Sequence, residues 1–242
     1  MKLPHEIRNL FHQEEKTYLS REWNGLSVFY TPQLDGGGLV FADDYLALLE
    51  SMQAMVNPGR IYEWCSGPGF IGYALLAHKF GTSLCLTDFY QPAIDVVKHT
   101  AHFNKIEDRV SVYHGDGVLG LPQHEKFDLV VGNPPQFQNR IMLELLFAHD
   151  PKTDPRIYVD PEWRLHKQFF NRISNHLKDD GVIILTECSG GAHVETFRPM
   201  IEEAGLYLAG WKWPKRGKDM FYVFVTKKDT RVKDKVRAFC SD

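Results

Sequence analysis

Between residues 59 and 228, short apolar runs alternate with longer amphipathic ones. Residues 61–65 (IYEWC), 83–87 (SLCLT), 109–113, 127–132 (FDLVVG) and 182–186 (VIILT) are brief and mostly apolar. Such runs suit strands buried on both faces of a parallel sheet. Between them, residues 70–79, 91–103, 161–177 and 194–204 follow helical spacing, and a first helix is expected over about 43–56. Two further strand-like runs, 207–213 and 221–226, are joined by the short basic loop 214–218, which predicts an antiparallel pair at one edge. The pattern predicts an α/β fold: a Rossmann-like, doubly wound, mostly parallel seven-stranded sheet with an antiparallel edge hairpin. Three segments follow from it. Residues 1–58 form an N-terminal extension and candidate lid, 59–228 the core, and 229–242 a basic tail. The extension itself reads as a short polar helix followed by an extended stretch at 26–30.

Composition leaves this picture intact. At 242 residues with 43% hydrophobic and 24% charged residues, the chain resembles an ordinary globular domain rather than a disordered one. No run of about 18 apolar residues exists, so no membrane span is expected. The opening MKLPHEIRNLF lacks the apolar core of a secretory signal, which makes the cytoplasm the expected location. Cys65, Cys85, Cys188 and Cys240 form no CxxC pair and are expected to be free thiols with no metal. The net charge of −3 argues against a broad nucleic-acid surface. Its distribution is uneven: from Ala209 to Asp242 ten Lys/Arg oppose four Asp, a local +6 that leaves −9 elsewhere. A charged strand edge and a solvated tail account for this more simply than an RNA-binding patch.

Ligands of such sheets bind beyond the carboxyl ends of the strands. The first core strand runs into Ser66-Gly67-Pro68-Gly69-Phe70-Ile71-Gly72, whose glycines fit GxGxxG, a loop on which a ligand can lie against bare backbone. Alone, this suits a nicotinamide dinucleotide as well as S-adenosylmethionine. Asp88 closes the next strand, where a carboxylate can accept the ribose hydroxyls of either ligand. Glu63, inside the strand, favours a ligand carrying an ammonium group over a pyrophosphate. Asp116, in Gly115-Asp116-Gly117, stands where it can accept from an adenine amino group or simply begin a turn.

Taken together, Glu63-x-Cys65-x-Gly67-x-Gly69, Asp88, Asp116 and the end of the fourth strand resemble the class I S-adenosylmethionine-dependent methyltransferases over roughly residues 59–226. The resemblance implies S-adenosyl-L-methionine as cofactor. It assigns Glu63, Cys65, Gly67, Pro68, Gly69, Asp88, Phe89, Asp116, Gly117 and Asn133 to its binding. Cys65 departs from the glycine that is frequent in that family.

The most specific segment is Asn133-Pro134-Pro135-Gln136-Phe137. Neither proline has an N–H, so the loop offers stiff carbonyl acceptors, and Asn133 adds an amide oxygen beside them. Two convergent acceptors suit a substrate NH₂ group, leaving its lone pair aimed at the incoming methyl. Positioning of this kind supplies on the order of 7–11 kcal/mol when orientation is near ideal. The segment resembles the Asn-Pro-Pro-aromatic motif of amino-methyltransferases, which act on adenine N6 or on the glutamine of peptide-release factors. That implies catalytic roles for Asn133 and the Pro134 carbonyl, with Pro135, Gln136 and Phe137 against the substrate. Gln136 stands where the motif has its stacking aromatic, with Phe137 one residue later, so a polar, non-aromatic target becomes an alternative to a nucleobase. Residues 36–38 and the helix start near Asp43 are expected to correspond to the segment that closes over the cofactor in that group. Arg156, Tyr158 and Trp163 are expected as walls of a substrate pocket, within an irregular 148–160 segment. The expected activity is N-methylation of an amide or amino nitrogen on a small molecule or protein side chain. The alternatives are a nucleobase amine in RNA or DNA and a non-catalytic cofactor-binding module.

Overall fold

The computed structural model describes residues 18–34, 38–53, 55–56, 59–139, 141 and 155–241. Its main sheet is built from β3 (Arg60–Trp64), β4 (Ser83–Asp88), β5 (Val110–His114), β6 (Phe127–Gly132), β7 (Leu177–Cys188), β8 (Leu206–Lys212) and β9 (Met220–Lys227). Their spatial order is β5-β4-β3-β6-β7-β9-β8. The first five are mutually parallel, while β9 runs antiparallel between β7 and β8. The expected fold class, edge hairpin included, is what the chain adopts. A separate hairpin, β1 (Leu19–Trp23) with β2 (Leu26–Tyr30), precedes it. The expected short polar helix at the start of the chain falls mostly outside the described residues.

Strand residues alternate between two apolar layers, as a period of two requires. Along β7, Val182 and Ile184 join one core cluster while Ile183 and Leu185 join the other. The first layer is covered by α1 (Gly38–Ser51), α2 (Phe70–Ala77), α3 (Gln91–Phe103) and α6 (Arg231–Ser241). The second is covered by α4 (Arg164–Ile173) and α5 (Val194–Glu203). The residues expected as a solvated tail are instead helix α6, because Val232 and Val236 bury an apolar stripe against the sheet. Gly210 permits this docking, since a β-carbon there would lie 2.4 Å from Cys240 Cβ.

Two boundaries differ from expectation for local reasons. The Asp179-Asp180-Gly181 turn is part of β7, whose pairing with β6 shifts register between Phe127 and Leu129 to accommodate it. Helix α4 starts at Arg164 because residues 161–163 form a tight turn with Glu162 and Trp163 both at φ 56°. Helix α1 is part of the same body rather than an appendage. Phe41, Tyr45 and Leu49 of α1 lie in the first core layer. The buried Tyr45 hydroxyl lies 3.0 Å from the Gly132 carbonyl and 2.8 Å from that of Ile184. Helix α1 is thereby keyed to the carboxyl end of β6 and to β7 at Ile184.

Candidate active site

Register brings the chemistry to one edge. Trp64 lies opposite Thr87 on one side and Gly132 on the other, and Gly132 lies opposite Leu185. The loops leaving β3, β4, β6 and β7 therefore gather at the point where strand order reverses, the usual ligand crevice of such sheets.

The glycine loop is shaped more by protein packing than by open space. Cys65, Gly67 and Gly69 all have left-handed backbone, at φ 52°, 49° and 79°. That explains why glycine is frequent at position 65, and Cys65 bears a cost of about 1–2 kcal/mol for its conformation. A β-carbon on Gly69 would lie 2.9 Å from the Tyr73 ring, and one on Gly72 would lie 2.6 Å from Leu84 and 2.7 Å from Glu63 Oε2. A β-carbon on Gly67 would meet the Leu34 carbonyl at an ordinary contact distance of 3.6 Å. The turn ending at Leu34 thus rests on this loop, while residues 35–37 of the candidate lid lie outside the described residues.

The Glu63 carboxyl lies beneath the loop, 3% exposed, and accepts the Gly72 N–H at 2.7 Å. Burial lifts its pKa to about 8 against the opposing Gly72 and Ile71 amides, so it is mainly neutral at pH 7. It fastens α2 to β3 through the Gly72 amide.

Asp88 lies at the rim, nearly buried, and accepts the Gly67 N–H at 2.8 Å and the Tyr90 N–H at 2.9 Å. Burial raises its pKa, opposed by these amides. Phe89 is exposed beside it, with the Arg156 guanidinium 5.0 Å from its ring centroid. Asp116 is exposed, and Gly117, at φ 57°, leaves no room for a β-carbon because Trp64 Nε1 would lie 2.7 Å away. Pro68 is buried within the loop. Burial pushes the Cys65 thiol far up, and Asp88, Asp160, Asp116 and Glu187 add to that shift.

The Asn-Pro-Pro loop is fixed by its neighbours. Gln136 Nε2 donates to the Thr186 carbonyl at 2.9 Å and to Asn133 Oδ1 at 2.5 Å. The Gln136 and Phe137 N–H groups both reach the Tyr158 carbonyl at 2.9 Å, and the Asp160 N–H reaches the Phe137 carbonyl at 2.7 Å. Gly191 follows β7 so closely that a β-carbon would lie 2.0 Å from the Gln136 carbonyl. Both residues expected on the substrate side are buried. Gln136 is 8% exposed, with its amide hydrogen-bonded to Asn133 and Thr186. Phe137 is 3% exposed and packs with Cys188, Tyr158 and Met220. The Pro134 and Pro135 side chains are also buried.

A second cluster gave no sequence motif. His166 is fully buried, with Nδ1 2.7 Å from Asp160 Oδ2 and Nε2 3.0 Å from Glu187 Oε1. Burial alone would lower its pKa, but Glu187 and Asp160 lift it to about 9. Trp163, expected as a pocket wall, is buried edge-on against this imidazole, 5.2 Å between centroids. Glu187, an acid at the end of the apolar run VIILTEC, was the one available hint.

The reversed last strand and the cleft at the switch point define the class I S-adenosylmethionine-dependent methyltransferase fold. The sequence profile of the methyltransferase small domain matches residues 27–149, and the chain belongs to that family. It is an enzyme that uses S-adenosylmethionine. Among relatives, the release factor glutamine methyltransferase of Aquifex aeolicus is 25% identical over 199 residues, 76% of this chain and 68% of that protein. The ribosomal protein uL3 glutamine methyltransferase of Burkholderia pseudomallei is 25% identical over 57% of this chain, which spans 47% of that relative. Among solved structures, an S-adenosylmethionine-dependent methyltransferase from Clostridium acetobutylicum shares the fold with TM-score 0.55, at 12% identity, over 80% of this chain and 92% of its own. The ribosomal protein L11 methylase of Lactobacillus delbrueckii subsp. bulgaricus gives TM-score 0.53 at 18% identity, over 76% and 77%.

Two outcomes follow from this geometry. Asp88→Ala should abolish S-adenosylmethionine binding in calorimetry, and wild-type affinity would refute the ribose assignment. Glu63 holds a proton up to about 8 in the fold but only to 4.5 when free. Stability should therefore fall as pH rises between those values. In thermal melts Glu63→Gln should flatten that decline, and parallel wild-type and variant profiles would contradict the burial account.

Proposed function

We propose that this enzyme methylates the side-chain amide nitrogen of a glutamine in a protein substrate. The supporting observation is the orientation of Asn133. A carbonyl can only accept, so the group Gln136 places against Thr186 must be its NH₂, and its second N–H then requires the oxygen of Asn133. In this reading Asn133 Oδ1 and the Pro134 carbonyl receive the two N–H groups of the target amide.

S-adenosylmethionine supplies a methyl group on a sulfonium. The chain's own contribution is to hold the acceptor. An amide nitrogen shares its lone pair with its carbonyl, so two acceptors that draw the N–H bonds out of plane favour the pyramidal nitrogen reached in the transition state. The acceptor's lone pair forms the N–C bond as the S–C bonding pair stays on sulfur, which leaves as a neutral thioether, and the nitrogen then gives its proton to water to restore a neutral amide.

The glutamine assignment draws support from the two relatives whose names specify glutamine. The basic segment 209–242 gives the nucleic-acid alternative little support, because four of its ten cations are paired within the protein. Lys212 donates to the Phe239 carbonyl, Arg216 pairs with Asp44, Lys227 with Asp179 and Arg237 with Asp234. The buried Phe137 also leaves the loop without a stacking surface for a base.

Incubation of the protein with methyl-labelled cofactor and unmethylated cell protein should yield labelled N5-methylglutamine after digestion. Asn133→Ala should keep much of the cofactor affinity and lose about a hundredfold or more in turnover. Label recovered only in RNA, or unchanged turnover in that variant, would sink this assignment.

A further inference from the structure

We infer that His166 is a positioning residue for methyl transfer, clamping Asp160 and Glu187 together across the Asn-Pro-Pro loop and so fixing where Asn133 presents its oxygen. This rests on the amine-holding role of Asn133 proposed above, but not on the identity of the acceptor.

The connections form a closed ring. From His166, one arm passes through Nδ1 to Asp160, whose backbone N–H holds the Phe137 carbonyl. Two residues earlier, the Tyr158 carbonyl receives both the Gln136 and Phe137 N–H groups. The other arm passes through Nε2 to Glu187, the neighbour of Thr186, whose carbonyl orients the Gln136 amide. Both arms meet at Gln136, and Gln136 holds Asn133. Asp160 also caps α4, accepting the Leu165 N–H at 2.8 Å and the His166 N–H at 3.1 Å. That cap holds the turn in which Glu162 and Trp163 both have left-handed backbone. Such backbone is strained and persists where the surroundings over-determine it.

The clamp needs both ring nitrogens as donors, because each faces a carboxylate. A neutral imidazole has one donor and one acceptor, so losing its proton turns one arm from attraction to repulsion. The groups facing the ring leave no other charge to compensate. Asp160 reaches it from the preceding turn and Glu187 from β7. The rings of Trp64, Trp163, Phe170 and Phe197 carry none, and the nearby Cys65 thiol remains protonated. With His166 titrating at about 9, the clamp is complete at neutral pH and opens as pH rises through that value.

Backbone hydrogen exchange needs no methyl acceptor and tests the clamp directly. After correction for intrinsic rates, the Gln136 and Phe137 amides of the wild type should lose about tenfold in protection between about pH 8 and pH 10, while those of Val130 and Ile183 in the strands stay protected. His166→Gln should show the faster exchange already at pH 7, keep S-adenosylmethionine affinity within about threefold, and lose about a hundredfold in turnover on any protein acceptor found. Its remaining turnover should lack the wild type's decline above pH 9. Unchanged protection at Gln136 and Phe137 in both experiments would overturn the inference, even if glutamine methylation is established. If no glutamine is methylated but the exchange pattern appears, the clamp stands and the acceptor assignment falls. Should His166→Gln fail to fold, the wild-type pH series decides alone.

Discussion

The Thr186 carbonyl can only accept a hydrogen bond, and the chemistry of the site descends from that restriction. It selects the NH₂ end of Gln136, which in turn selects the oxygen end of Asn133. Thr186 itself is placed by the sheet: β7 pairs in register with β6 on one side and β9 on the other, and Tyr45 of α1 is hydrogen-bonded to Gly132 and Ile184 of the two parallel strands. A side-chain orientation at the cleft is therefore an outcome of strand register, and amide groups fixed in advance incur little reorganisation cost when a substrate binds.

The two halves of the cleft are stabilised differently. On the cofactor side, backbone geometry dominates: left-handed residues at 65, 67, 69 and 117 and a protonated Glu63 under the helix start hold the loop around Asp88. On the acceptor side, a buried charged cluster does the holding, with an imidazole between two carboxylates. Burying such a group costs several kcal/mol of desolvation unless each charge is matched. Its retention next to a catalytic loop accords with a need for fixed geometry more than for added stability.

The alternation of apolar runs made the parallel sheet and its reversed edge legible in the sequence, and GxGxxG with Asp88 and Asn-Pro-Pro located the cleft. Other features escaped for identifiable reasons. The strand Leu19–Trp23 is exposed except for Trp23 and polar at its three central residues, so it lacked the apolar signature of a core strand. Helix α6 was hidden because its charges outnumber its two buried valines. The burial of Glu63, Gln136 and Phe137 was not legible, since sequence spacing does not reveal which side of a loop a side chain takes. His166 is distant along the chain from both Glu63 and Asn133, and only folding brings its carboxylate partners together.

The central claim, that Gln136 dictates which end of Asn133 faces the acceptor, is tested most directly by the turnover of Gln136→Glu at fixed cofactor saturation. A carboxylate cannot donate to either Thr186 or Asn133, so Asn133 should turn its NH₂ toward Glu and withdraw the oxygen from the acceptor. The account predicts near-normal S-adenosylmethionine affinity with turnover reduced about a hundredfold. Turnover within about twofold of wild type, well under 1 kcal/mol in barrier, would contradict it.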